Sequence, residues 1–187
     1  MNSTDTLIWI GLGANSGDPL TQLIQARQNL AQELNIVGVS SLYLSAPIDC
    51  PTPQNDYLNA VFCAFTHYAP LYLLEYLQNI EHTFGRTRKS YHAPRTLDLD
   101  ILMYGTLHYQ DVTLTLPHPA LLQRAFVLKP LCELASDLIL FNGQTTQEAL
   151  FAISDQRIEY YETNQWKAQP LNIDIKIYSK KHDEYLQ

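Results

Sequence analysis

The sequence predicts an α+β fold, a mainly antiparallel sheet with helices packed on it, and three observations carry that expectation. Short β-favouring runs and runs of helical periodicity follow one another in the order strand, helix, strand, strand, helix, strand. The length, 187 residues, suits one domain with a sizeable core, so residues 1–187 are read as a single unit. The composition, 46% hydrophobic and 17% charged with only 7 Gly and 10 Pro, excludes a disordered, collagen-like or low-complexity chain.

The first strand is the apolar run Leu7-Ile8-Trp9-Ile10, stopped by the glycine-rich turn from Gly11 to Gly17. Asp18 then reads as a helix cap with Pro19 at the first helical position, and Leu20, Leu23, Ile24, Arg27, Leu30, Ala31 and Leu34 recur at helical spacing. Val37 to Leu44 has strand composition, Ala46 to Asp56 carries three prolines and is a loop, and Tyr57 to Phe65 is a strand expected to pair antiparallel with the one before. Leu73, Leu77, Ile80 and Phe84 define a second helix from Pro70, with Gly85 as its left-handed stop. Leu97 to Tyr104 alternates, which assigns Leu97, Leu99, Ile101 and Met103 to a buried face and Asp98 and Asp100 to the other. Short strands are expected at Leu107 to Tyr109 and Val112 to Leu116, a helix within Leu121 to Leu134, and a last helix opened by the capping box Thr145-Thr146-Gln147-Glu148. This order matches the ferredoxin-like split arrangement, a sandwich plus extra short strands and helices, with one sheet face covered by helices and the other open to ligands. In the tail, Leu171 to Tyr178 alternates as an added edge strand would, a surface for sheet extension or dimer contact.

Twelve Lys+Arg stand against nineteen Asp+Glu, net −7, so a broad basic face for nucleic acid is excluded. The three cysteines, Cys50, Cys63 and Cys132, have neither disulfide-framework nor zinc-knuckle spacing. No stretch reaches membrane-span length and the start has no basic n-region, so a cytoplasmic protein is expected.

Asp98 and Asp100, at i and i+2 on a strand, put two carboxylates on one face with Cα atoms roughly 6.6 Å apart. Such a pair can clamp a hard divalent cation, with Mg²⁺ favoured by oxygen-only donors. Alone, the pair fits an exposed alternating strand at least as well. Its neighbours change that reading: Arg86, Arg88, Lys89 and Arg95 lie within ten residues just upstream, a local phosphate-sized positive patch in an acidic chain. Cations beside a carboxylate pair are what binding and transfer of a metal-bound phosphate chain require. Asn59, polar inside an apolar strand and on one face with Tyr57, suits a flat heterocycle rich in ring nitrogens, although an amide bonded to loop backbone fits equally. Phe126 is the candidate second ring of a sandwich, and Pro117-His118-Pro119 with Arg124 offers either a nucleotide contact or a surface turn.

Five segments in register carry a resemblance. They are Ile10-Gly11-Leu12-Gly13-Ala14-Asn15, Asp56 to Ala60, Ile80-Glu81 with Gly85-Arg86, Ala93 to Asp100, and Leu116 to Pro119 through Arg124 to Val127. Together they resemble the 6-hydroxymethyl-7,8-dihydropterin pyrophosphokinase (HPPK) family of folate biosynthesis, from about Leu7 to about Trp166, with 167–187 an extension beyond it. The resemblance implies the ferredoxin-like fold and transfer of pyrophosphate from MgATP to the pterin hydroxymethyl group, releasing AMP.

Carried over by position, the resemblance implies that Asp98 and Asp100 hold two Mg²⁺ ions and that Arg86 and Arg95 serve catalysis. ATP contacts are implied for Gln78, Arg88, Lys89, Ile101, Thr115, His118 and Arg124. Pterin contacts are implied for Ser45, Pro47, Ile48, Tyr57, Asn59 and Phe126, with Glu81 in support. Loop 86–95 is expected to close over bound nucleotide, and no protein general base is assigned, because positioning and charge neutralisation carry such a transfer. Ser90-Tyr91-His92 and Ala120 depart from the family pattern. The expected partners are small molecules, with a monomer expected and a dimer through the tail as the alternative. Two other classes compete with this reading. The spacing Gly11-x-Gly13-x-x-x-Gly17 prompts a nicotinamide-dependent reductase, but Val37 to Leu44 ends without the acidic residue that would hold a ribose. A non-catalytic nucleotide or pterin binder would not need the carboxylate pair beside four cations.

Overall fold

A strand as uniformly apolar as Leu7-Ile8-Trp9-Ile10 has to be covered on both faces, and the fold is built around meeting that demand. The computed structural model describes residues 5–48, 53–85 and 94–175. The strand is β1 (Thr6–Ala14), flanked antiparallel by β4 (Tyr57–Thr66) on one side and β5 (Asp98–Tyr104) on the other. The expected single strand 37–44 is divided into β2 (Asn35–Val39) and β3 (Leu42–Ser45), both paired antiparallel with β4. The division falls at Ser40-Ser41, where Ser40 Oγ accepts from the Val61 N–H (2.9 Å) and Glu133 accepts from the Ser41 N–H (2.9 Å). The sheet runs β5-β1-β4-β3-β8, with β8 (Ile158–Tyr161) an edge strand that the periodicity of the sequence did not single out.

Helices α1 (Pro19–Glu33) and α2 (Pro70–Thr83) cover the first face, where Ile8, Ile10, Ala60, Phe62, Leu99 and Ile101 pack with Leu23, Leu30, Leu73 and Leu77. The expected start of α1 holds, with Asp18 Oδ1 accepting from the Thr21 N–H (3.2 Å) ahead of Pro19. Gly85 follows α2 at φ +77°, a conformation glycine adopts without penalty.

The second face is not open, contrary to expectation. Helix α3 (Ala125–Leu134) and helix α4 (Thr146–Phe151), the latter opened by the capping box at Thr145, lie over Leu7, Trp9, Val61 and Cys63 through Val127, Leu128, Leu131 and Ala149. Leu121–Leu134 is too apolar to remain exposed, so it takes this face and leaves only one end uncovered. Met103 belongs to this second cluster, not with Leu99 and Ile101: the pairing of β1 with β5 slips between Trp9 and Ile10, and this bulge interrupts the alternation. The two short strands downstream shrink to β6 (Tyr109–Gln110) and β7 (Thr115–Leu116), because Asp111 draws the N–H groups of Thr113 and Leu114 into a turn. In the tail, described residues 171–175 contain no strand. Leu171, Ile173 and Ile175 alternate into the second cluster, while sheet contact is made by a bridge from Gln169 to Val39. Residues 176–178 of the expected edge strand lie outside the described residues.

Trp166 secures the C-terminal segment to the first face. Its Nε1–H donates to the Ser40 carbonyl (2.9 Å), its ring lies 5.9 Å from that of Phe62, and the Arg27 guanidinium sits 5.4 Å from its centroid while donating to the Lys167 carbonyl (2.7 Å). Trp166→Ala is expected to lower the free energy of unfolding by about 3–5 kcal/mol, and Trp166→Phe by about 1 kcal/mol. Urea denaturation of both variants checks this; equal loss in the two would mean the hydrogen bond, not the ring, does the anchoring.

Candidate active site

The uncovered end of the second face coincides with the two positions of β1 that carry no side chain. Gly11 pairs with Asp100 and Gly13 with Asp98 on β5, and Gly13 pairs with Asn59 on β4. Directly paired residues present their side chains to the same face, so both carboxylates and the amide of Asn59 border a floor of bare backbone. A Cβ at Gly13 would stand 3.3 Å from Asn59 Oδ1, and one at Gly11 3.4 Å from Leu102 Cδ2. Phe126, near the start of α3, borders the same depression.

Asp98 and Asp100 are half-buried and each has a distinct neighbourhood. Arg95 Nη1 donates to Asp98 Oδ2 in an ion pair. His118 Nε2 lies 3.9 Å from Asp100 Oδ2. Burial in the cleft and then the adjacent Asp98 carboxylate raise the Asp100 pKa above the ordinary carboxylate range, with Arg124 and Arg95 opposing. Burial, reinforced by Arg124, pushes His118 down to about 4, so its ring is neutral at pH 7. His118 Nδ1 accepts from the Ala120 N–H (3.1 Å), which leaves the proton of the neutral ring on Nε2, facing Asp100.

Three buried polar groups hold this arrangement. Glu81, on α2 and 3% exposed, accepts the Leu99 N–H at 2.7 Å, fixing edge strand β5 between its two aspartates. Asn15, just past the glycines and 2% exposed, accepts from the Arg95 N–H (2.8 Å) and donates its own N–H to the Arg95 carbonyl (3.0 Å), while its amide nitrogen reaches Gln54 Oε1 (3.0 Å) and the Asn55 carbonyl (3.2 Å). Sequence reasoning used Asn15 only as part of a motif; the signal for its role was a polar residue at the end of a buried strand. Asn59 donates to the Tyr43 carbonyl (3.2 Å), Ser45 Oγ (3.0 Å) and the Tyr57 carbonyl (3.1 Å), so its nitrogen is committed inward and Oδ1 is directed at the Gly13 backbone.

Two cavities adjoin the depression that holds both carboxylates, one sharing Asn59 and Phe126 with it and the other sharing Asp100. One, of about 360 Å³, is lined by Ser45, Ile48, Tyr57, Asn59, Arg95, Arg124, Phe126 and Gln156. The other, of about 290 Å³, is lined by Asp100, Ile101, Thr115, His118 and the Asp111-Val112-Thr113 turn. Arg124 falls in the first, its guanidinium 5.4 Å from the Phe126 ring centroid. Pro47 lies between the lining residues Ala46 and Ile48. Gln78 is half-buried on α2, three residues before Glu81, and does not line either cavity. Gln156 is a lining residue that sequence reading passed over, since nothing local distinguishes it. Arg86, Arg88, Lys89, Tyr91 and His92 lie outside the described residues. Among the described residues no group of three or more His, Cys, Asp and Glu side chains gathers as a metal site, so any cation here would take only the two aspartates and complete its shell elsewhere.

The chain is similar to known proteins over most of its length. The model of the 7,8-dihydro-6-hydroxymethylpterin-pyrophosphokinase (HPPK) family matches residues 9–136. A Haemophilus influenzae 2-amino-4-hydroxy-6-hydroxymethyldihydropteridine pyrophosphokinase is 43% identical, covering 80% of this chain and 94% of that protein. A Pseudomonas aeruginosa protein of the same name is 40% identical over 81% of this chain and 94% of its own length. Among solved structures, an HPPK-DHPS chain in complex with substrates superposes with a TM-score of 0.62 at 12% identity, a likeness of fold. It covers 81% of this chain, which spans 44% of that longer one. On the family match and the extent of the two bacterial likenesses, the chain belongs to the 7,8-dihydro-6-hydroxymethylpterin-pyrophosphokinase family.

Proposed function

We propose that this chain transfers pyrophosphate from ATP to the hydroxymethyl group of 6-hydroxymethyl-7,8-dihydropterin, giving AMP and the pterin diphosphate in folate biosynthesis. The observation that carries the reading is the Asp98 and Asp100 pair in a depression that adjoins two cavities of different chemistry, sharing Asn59 and Phe126 with the larger and Asp100 with the smaller. A two-substrate transfer needs its reacting atoms to meet at one charged point while each substrate keeps its own pocket. The aromatic and amide lining of the larger cavity, Tyr57, Phe126, Asn59 and Ser45 with the adjoining backbone at Pro47 and Ile48, suits a flat pterin bicycle. The smaller cavity, with Ile101, Thr115 and His118, suits the nucleotide, and Gln78 belongs to that side on the strength of the sequence resemblance. Arg95 and Arg124 supply charge for phosphate oxygens between them. Arg86, Arg88 and Lys89 join that set from the sequence alone. The order β5-β1-β4-β3 supports a ferredoxin-like sandwich.

The donor set fits Mg²⁺. Two hard carboxylates on one face, one with its pKa raised by burial and by the other carboxylate, are what a dication stabilises. The reading assigns two Mg²⁺ ions to Asp98 and Asp100, which when bound would neutralise phosphate charge and acidify the substrate hydroxyl. The protein's own share is placement. Glu81 holds β5, Asn15 holds the Arg95 backbone, Asn59 and the rings orient the pterin, and neutral His118 presents Nε2–H without adding charge. No side chain need act as general base. A cytoplasmic setting is supported by the free thiols Cys63 and Cys132. A monomer is supported by residues 169–175 packing on their own sheet.

Incubation with MgATP and the dihydropterin is expected to yield AMP only when the pterin is present, and Asp98→Ala or Asp100→Ala to reduce turnover by at least about 10²-fold. Release of ADP in place of AMP would overturn the reaction type. A second expectation concerns pH. His118 binds its proton less readily folded than unfolded, so the stability tied to its neutral form is complete above about pH 6.5 and falls as pH drops toward 4. His118→Gln is expected to flatten that fall, worth up to about 3 kcal/mol, in denaturation curves taken between pH 4 and 7. Parallel curves for the two proteins would show that another group is responsible.

A further inference from the structure

Helix α3 begins beside the larger cavity without a cap of its own. Arg124 occupies the cap position and its side chain accepts no helix N–H, while Ala125, the first helical residue, is 2% exposed. The missing acceptor comes from 31 residues downstream. Gln156 Oε1 accepts the Ala125 N–H at 2.9 Å, and Gln156 Nε2 donates to the Gln123 carbonyl at 2.8 Å. One primary amide thus spans the turn Gln123-Arg124-Ala125, the turn that aims the Arg124 guanidinium over Phe126. Gln156 also lines the cavity itself. It is anchored in the turn after α4, where its N–H meets the Ile153 carbonyl (3.2 Å), and two residues later Ile158 pairs with Ser45 on the opposite wall. Residues 153–158 therefore bridge both walls of one cavity, from a part of the chain outside the family match at 9–136.

We infer that Gln156 is a positioning residue for the aromatic substrate: by holding the turn that leads into α3 it sets the place of Phe126 relative to Ser45 and Asn59, and thereby the affinity of the larger cavity, with a smaller effect on the nucleotide through Arg124. The inference rests on the assignment of that cavity to the pterin. A general structural role would lower stability and affect both substrates alike. A positioning role falls mainly on one substrate, because Gln156 lines the larger cavity and its hydrogen bonds go to Gln123, Ala125 and Ile153, none of which lines the smaller one.

The test is steady-state kinetics of Gln156→Leu and Gln156→Glu with both substrates varied. Gln156→Leu keeps the bulk and removes both hydrogen bonds; it is expected to raise the KM for the dihydropterin about tenfold and the KM for ATP, through Arg124, by no more than about threefold, with kcat within about twofold. Gln156→Glu keeps an acceptor for the Ala125 N–H and loses the donor, so it is expected to recover part of that loss. An unchanged pterin KM, or equal rises in both KM values with a lowered melting temperature, would overturn the inference. Amide exchange at Ala125, read by NMR without substrate, separates it from the functional reading. If the native protein forms no AMP, that reading fails, and exchange at Ala125 in Gln156→Leu at the native rate overturns the capping on which the inference stands, whereas exchange about tenfold faster upholds it.

Discussion

A strand in the middle of a sheet covered on both faces must bury every side chain it carries, and β1 is released from that constraint only at Gly11 and Gly13. At those positions the strand contributes backbone alone, so charged neighbours on either side can stand over it without displacing core. That is why Asp98, Asp100 and Asn59, three polar side chains that a continuous apolar face would exclude, share one end of the sheet. Leu102 and Asn59 already approach the space a Cβ would need, so the floor is as close to its walls as side-chain packing allows.

Placing two carboxylates side by side costs free energy, and the surroundings show how that cost is managed. Arg95 is paired with Asp98, while burial and the Asp98 charge raise the Asp100 pKa against Arg124 and Arg95, and the imidazole facing Asp100 is neutral. A third carboxylate, Glu81, lies buried beneath them with its Oε1 engaged by the Leu99 N–H. The result is a cluster held in position with its negative charge incompletely balanced, the condition in which a dication gains most from binding.

The C-terminal third surrounds the site. Helices α3 and α4 close the second face, Gln156 holds the start of α3, β8 supports β3 beside the larger cavity, and Trp166 fixes the return of the chain across the first face. Each of these contacts joins residues far apart in sequence. Precision at the larger cavity thus depends on segments that carry none of the motifs.

Local pattern was enough to read the central elements. The glycine turn and Asp18-Pro19 gave the start of α1, strand alternation put Asp98 and Asp100 on one face, and Thr145 to Glu148 gave the cap of α4, because each is decided within a few residues by backbone geometry. Periodicity misled where long-range packing overruled it. A bulge moved Met103 to the other face, Leu171 to Ile175 alternate for burial and not for pairing, and a face expected to be open is filled by α3. By itself, then, the sequence determined the order of strands and helices, the residues bearing charge and the resemblance that groups them. Only the tertiary structure decided that Gly11 and Gly13 form the floor, that Asn15, Glu81 and Gln156 hold the walls, and that two cavities adjoin the depression holding the aspartates. Those facts depend on which distant strands and helices become neighbours, a choice made by burial over the whole chain and written in no single segment of it.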